Sequence, residues 1–338
     1  LGQIFFGPLS DKYGRRPLLL VSMLLFIVST LFCLFAPDIY SFVTLRLIQG
    51  IAGAGGIVIS RSVAIDKFSG KELAKMLAVI GAINGVAPVA APVIGGLLTG
   101  SVGWQGIFMI LLFIGILLGI GCIRFKESLP AEKRSKTGVW ATFRSFGIIV
   151  HNRRYMLYVF QLAFAQGILF AYIASSPFII QQHYGFSPFA FSICFAVNAV
   201  AIGVAAALSV KFRRTENGTL TGCVGMLVFA VLQMAALYSG CGFWTYELLM
   251  FALLFMMGLT FTASTTLAMD CERRYAGAAS ALLGALCFAS GGIVSPLVGL
   301  GDILISTGVT FVICAVCSLL CALWAVKRTG PKVALCRI

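Results

Sequence analysis

Charge is what this chain has least of. Asp, Glu, Lys and Arg make up 11% of its 338 residues, against about 25% in an ordinary soluble domain. So few charges cannot cover the water-exposed surface of a folded chain this long, which excludes a soluble globular protein. Acid is scarcer still, with 11 Asp and Glu beside 25 Lys and Arg. Every carboxylate, from Asp11 to Asp302, falls in a connection or near the end of an apolar run, and Glu247 lies only about three residues into one. Histidine is limited to His151 and His183, both peripheral, and no nucleophile–base pair accompanies them, which argues against an enzyme. Cysteine is plentiful, at 11 residues, but mostly scattered singly through apolar runs. Cys314, Cys317 and Cys321 share one helix face, yet no His or carboxylate in that run could complete a metal site. They read as small packing residues, and neither metal nor cofactor is expected. A signal peptide is also not expected, and the first residue is Leu1 rather than Met.

Apolar residues are abundant, at 60% of the chain with a mean hydropathy of +1.01. The long runs predict an all-α integral membrane protein rather than a barrel. Segments of spanning length lie at roughly 18–36, 39–60, 73–98, 106–123, 155–174, 189–210, 219–239, 244–268, 276–300 and 303–326, each near or above the ~20 residues of a bilayer crossing. All basic residues but Arg46 occupy alternate connections: Lys12/Arg15/Arg16, Arg61 to Lys75, Arg124 to Arg154, Lys211 to Arg214, Arg273/Arg274, and the tail from Lys327. The connections between them, such as APDIY and SGCGFWTYE, hold none. The basic side is therefore expected to be cytoplasmic, with the C-terminus there. The net charge of +14 then reads as topology and not as a nucleic-acid footprint.

The polar stretch from Arg124 divides the chain. The expected organisation is an N-terminal transmembrane half over 1–123, a cytoplasmic linker over 124–154, a C-terminal transmembrane half over 155–326 and a cytoplasmic tail over 327–338. Ala91-Pro92-Val93-Ile94-Gly95 is echoed by Ser295-Pro296-Leu297-Val298-Gly299, and Arg15-Arg16 by Arg213-Arg214. The two offsets nearly agree, which indicates parallel halves, a build found in secondary transporters. Equal halves would need six spans each. The first half is then expected to lack its first helix and most of its second, through an upstream extension or a truncation.

Three stretches carry further information. Gly7 to Arg16 reads G-P-L-S-D-K-Y-G-R-R. Here Gly7 would allow close helix approach, Pro8 would weaken the helix near its exit, and Asp11 would bond the first amides of the next helix. Gly14 would permit a tight turn, and Arg15 and Arg16 would stay in the headgroup region. Arg46, in T-L-R-L-I-Q-G, is a cation inside a span, about 10 Å deep at helical rise, and is a functional-site candidate. Snorkelling to the outer interface is the alternative. Gln49 lies at i+3 and could share its face. Asn84 to Gly96 carries Pro88, Pro92, Gly95 and Gly96, a pattern that bends a helix and admits close packing.

These motifs resemble the major facilitator transporters. The Gly7–Arg16 decapeptide is similar to the family's loop between its second and third helices, and L-R-L-I-Q-G to its fourth-helix motif. The A-P-x-x-A-P-x-x-G-G pattern of the fifth span resembles the bicyclomycin-resistance branch of the drug:proton antiporters, as do Arg61 to Gly70, Glu127-Ser128-Leu129-Pro130 and Ala276 to Leu282. Ala91 stands where the general antiporter motif has Gly. The resemblance implies a bundle of two pseudo-symmetric six-helix halves and alternating access. It implies proton-driven multidrug efflux across a bacterial inner membrane. Gly7, Asp11, Gly14, Arg15 and Arg16 would form a conformational latch, and Arg46 with Gln49 a proton-coupling site. In relatives the proton-carrying acid sits on the first helix, the segment this chain is expected to lack. Asn84, Gln161, Phe164, Gln166, Tyr172 and Asn198 are candidate cavity residues, with packing or interhelical bonding as the competing role for each. Expected partners are a small drug or metabolite, protons and lipid, with no nucleic acid, and the chain is expected to be monomeric. The competing readings are a transport-inactive fragment and a transporter of another small metabolite.

Overall fold

The computed structural model describes residues 2–68, 70–130, 132, 134, 146–209, 211–212, 214–272 and 276–327. Two compact units divide between Ser145 and Phe146. The first is built from α1 (Gly2–Tyr13), α2 (Arg15–Cys33), α3 (Ile39–Lys67) and α4 (Gly70–Arg124). The second contains α5 (Arg153–Pro177), α6 (Pro188–Ser209), α7 (Thr215–Tyr238), α8 (Phe243–Cys271), α9 (Ala276–Leu297) and α10 (Ile303–Lys327). Nine helical segments are long and apolar enough to cross a membrane among the described residues.

The helices begin and end for local reasons. Asp38 caps α3, its Oδ1 accepting the Ser41 N–H at 2.8 Å, and Asn152 caps α5 through the Arg154 and Tyr155 amides. Three connections differ from expectation. The decapeptide Gly7–Arg16 is mostly helix, broken only at Gly14, whose φ of 101° suits a residue without a Cβ. The TGSVGWQG connection joins two helices within α4 across a kink, and only Gly103, with φ 65° and ψ −178°, is non-helical there. Past Pro177, residues Phe178–His183 continue α5 as a π-helix, because Pro177 removes a donor and the chain re-forms its bonds at wider spacing.

Small residues set the helix separations, as they do where apolar packing against lipid gives no net driving force. In the first unit a Cβ on Gly55 of α3 would lie 2.7 Å from Ser22 Oγ on α2. In the second a Cβ on Gly258 of α8 would lie 2.5 Å from the Ile202 carbonyl on α6. Gly7, by contrast, has room, with Val58 Cγ1 3.6 Å from such a Cβ; its expected close approach is made instead by Gly2, 2.6 Å from the Ile51 carbonyl. Tyr155, Tyr158, Tyr172, Tyr246 and Phe311 fill the second unit. Large apolar side chains such as Leu24, Phe113 and Trp324 remain exposed on the units, as a lipid-facing surface requires.

Candidate functional site

A helix start leaves amide donors unsatisfied, and the start of α2 shows how this chain meets that need. Asp11 does not bond these amides. It lies one turn upstream in α1 and pairs with Arg15 Nη1 at 2.5 Å. Glu127, just past α4, takes the capping role. Its Oε1 accepts the Arg15 amide at 3.0 Å and its Oε2 the Arg16 amide at 3.1 Å. The Ser128 and Leu129 amides also donate to Oε1, each at 3.0 Å. Burial pushes the Glu127 carboxyl up, but the amides of Leu129, Arg15 and Arg16 and the Arg134 charge outweigh it and hold the group below the ordinary 4.5.

Arg15 itself is buried by protein. Its Nε meets Asp66 Oδ2, at the end of α3, at 2.9 Å, and its Nη1 donates to Ser10 Oγ at 2.7 Å. Ser128 Oγ joins Asp66 at 3.2 Å. Arg16 donates to the Ile123 carbonyl at 2.9 Å, satisfying an end of α4. The basic connection is therefore a charge cluster around the buried Arg15 that ties together the ends of α1, α2, α3 and α4. Asp66, Ser10 and Glu127 are the members that sequence reasoning missed as site residues.

Arg46 stands on α3, one turn from Gln49, and the i+3 spacing brings them together: Nη1 donates to Gln49 Oε1. Gln49 Nε2 passes the chain to Thr30 Oγ1 of α2 at 2.6 Å, and Thr30 donates to the Phe26 carbonyl at 2.6 Å. Gln49 and Thr30 are buried, while Arg46 itself is exposed on its unit. Its guanidinium sits 5.5 Å from the Phe108 ring centroid. Phe42 and Trp104 pack edge-on around Phe108. Two buried neutral partners and an aromatic face thus hold a cation in one orientation.

Residues 84–96 of α4 are helical, and the non-helical residue within α4 is Gly103, beyond Gly96. Gly95 and Gly96 are half-buried; the side chains of Asn84, Pro88 and Pro92 lie outside the described residues. In the second unit Gln161, Tyr172 and Asn198 are fully enclosed by packed helices. Gln161 Nε2 donates to Ser318 Oγ of α10 at 3.2 Å. Asn198 Nδ2 of α6 donates to the Tyr172 hydroxyl of α5 at 3.0 Å and to Glu247 Oε1 of α8 at 2.8 Å. Phe164 and Gln166 are half-buried. No group of three or more His, Cys, Asp or Glu side chains that could hold a metal occurs among the described residues.

Residues 1–296 match the family model for the Major Facilitator Superfamily. A relative from Bacillus subtilis, the uncharacterized MFS-type transporter YdgK, is 38% identical over 309 residues, covering 89% of this chain and 77% of the relative. A bicyclomycin resistance protein homolog of Haemophilus influenzae is 29% identical over 311 residues, covering 88% of this chain and 76% of the relative. Among solved structures, an inward-facing bacterial homolog to the human lysosomal transporter Spinster matches with a TM-score of 0.73 at 18% identity, over 97% of this chain and 87% of that one. At that identity the likeness speaks for the fold.

Proposed function

This chain belongs to the Major Facilitator Superfamily, and we propose that it exports drugs or small amphipathic metabolites in exchange for protons, by alternating access. The single observation that carries the reading is Arg46. A cation within a membrane span is costly and is retained where it meets a substrate, an ion or a proton path. Here Gln49 and Thr30 brace it while its guanidinium stays available on the surface of its unit. That arrangement suits a group that exchanges partners during a cycle better than one that only stabilises packing.

In this reading Arg46 and Gln49 couple proton and substrate. The Asp11–Arg15–Asp66 cluster with Gly7, Gly14, Arg16 and Glu127 is the latch that sets the ends of the first half. Pro88, Pro92, Gly95 and Gly96 give the fifth span its packing surface. Asn84, Phe164, Gln166 and the polar groups around Tyr172 and Asn198 contribute to substrate binding. The transmembrane halves are 1–123 and 155–326, with 124–154 and 327–338 on the cytoplasmic side of a bacterial inner membrane. The bicyclomycin-resistance branch is the placement favoured by the proline pattern of the fifth span and by a relative named for that antibiotic. The experiment is accumulation of labelled bicyclomycin in cells producing the protein or its Arg46→Ala variant. Lower accumulation with the wild type alone is expected. Equal accumulation in both would remove Arg46, and with it this reading.

A further inference from the structure

On sequence Glu247 stands near a helix end, about three residues into its apolar run. The structure turns it inward, to where α5, α6 and α8 meet. Its Oε1 accepts the Asn198 Nδ2–H at 2.8 Å, and the same amide group donates to the Tyr172 hydroxyl at 3.0 Å. Asn198, Tyr172 and Tyr246 are at most 1% exposed. Glu247 Oε2 is buried and has no hydrogen-bond partner, and neither have Asn198 Oδ1 or the Tyr246 hydroxyl. The ion pairs among the described residues are made elsewhere. The titratable groups facing Glu247 are Tyr172 on α5, Cys194 on α6 and Tyr246 on its own helix, none of them a cation.

An anionic carboxylate in this place would have one neutral donor on one oxygen and nothing on the other. Burying a charge so incompletely is unfavourable by several kcal/mol. A proton on Oε2 removes the charge and converts an orphaned acceptor into a donor, beside an amide oxygen and a phenol that both lack partners. We propose that Glu247 is a proton-binding site of the second unit, a carboxylic acid at neutral pH whose neutral form is what lets α5, α6 and α8 close around Asn198. Loss of that proton leaves a charge among three packed helices and drives them to rearrange or to admit water. The acid lies at the end of α8 whose connection carries no basic residues. As a coupling group it rests on the exchange reading above, but its protonation does not, and the two are read by different measurements.

Infrared difference spectra of the purified full chain against Glu247→Gln test the assignment directly. At neutral pH the wild type should show a protonated carboxyl C=O band that shifts in D2O, is lost at alkaline pH and is missing from the variant. Carboxylate bands alone in that difference at neutral pH would overturn the proposal. If the variant does not fold, dicyclohexylcarbodiimide is applied to the wild type, since it labels protonated carboxyls in apolar surroundings. Peptide mass spectrometry should then find Glu247 labelled at neutral pH and unlabelled at alkaline pH. An unlabelled Glu247 peptide at neutral pH would overturn the proposal.

Discussion

Glu127 Oε1 accepts the backbone N–H of Arg15 at 3.0 Å, across a separation of 112 residues. The helix α2 is thus capped by a carboxylate from the far end of its unit, so removing Glu127 loosens two places together. Glu127→Ala should lower stability by about 1 kcal/mol, as loss of a cap does, read as a fall in thermal unfolding temperature in detergent. The pH dependence follows from the lowered carboxyl, whose folded value lies below its ordinary 4.5. Stabilisation is therefore complete above the ordinary value and is lost as pH falls through the folded value. Glu127→Gln should lose less stability on acidification than the wild type; parallel losses would show that the cap contributes nothing to acid sensitivity.

Gly14 makes that cap possible. At its φ of 101° a Cβ would also lie 2.5 Å from Glu127 Oε2. Gly14→Ala should destabilise by roughly 1–3 kcal/mol from the positive-φ extended backbone alone, with more from the displaced carboxylate. Unfolding curves that overlay those of the wild type would contradict this account of the turn.

In the second unit the test is steric. Gly258 of α8 faces the Ile202 backbone and Ala205 Cβ, which a new Cβ would approach to 2.5 and 2.8 Å. Neither neighbour can swing aside, so Gly258→Ala should push α6 from α8 at a cost of about 1–3 kcal/mol. Gly203→Ala, where a Cβ meets nothing within 4 Å, is the control and should leave thermal unfolding unchanged.

How much of this could be read in advance depends on whether the governing contacts are local. The Arg46–Gln49 pair was legible because i+3 spacing on a helix fixes a shared face, but Thr30, which completes the chain from another helix, left no signal. The charge pattern and apolar runs revealed the spans and the membrane class. Local rules pick the nearest acid and so point to Asp11 as the cap, whereas packing delivers Glu127 from beyond α4. Glu247 was hidden for the same reason: its distance from the helix start is a sequence property, while its orientation toward Asn198 depends on how α6 meets α8. At Gly103 a glycine-rich stretch suggested a connection, and the chain needed only one non-helical residue there.

Gln49→Leu separates the bracing of Arg46 from its charge. Arg46 keeps its guanidinium and its place over Phe108, while the link to Thr30 is cut and Thr30 Oγ1 loses a donor. Bicyclomycin efflux should fall clearly without being abolished, while Arg46→Ala abolishes it. A Gln49→Leu protein with wild-type efflux would show that the Thr30 link does not serve coupling.

Exchange of substrate for protons is measured most directly by transport in everted membrane vesicles. Vesicles containing the protein should take up labelled bicyclomycin when energised, and uptake should cease when an ionophore collapses the proton gradient. Uptake that continues unchanged without the gradient would contradict proton-coupled export.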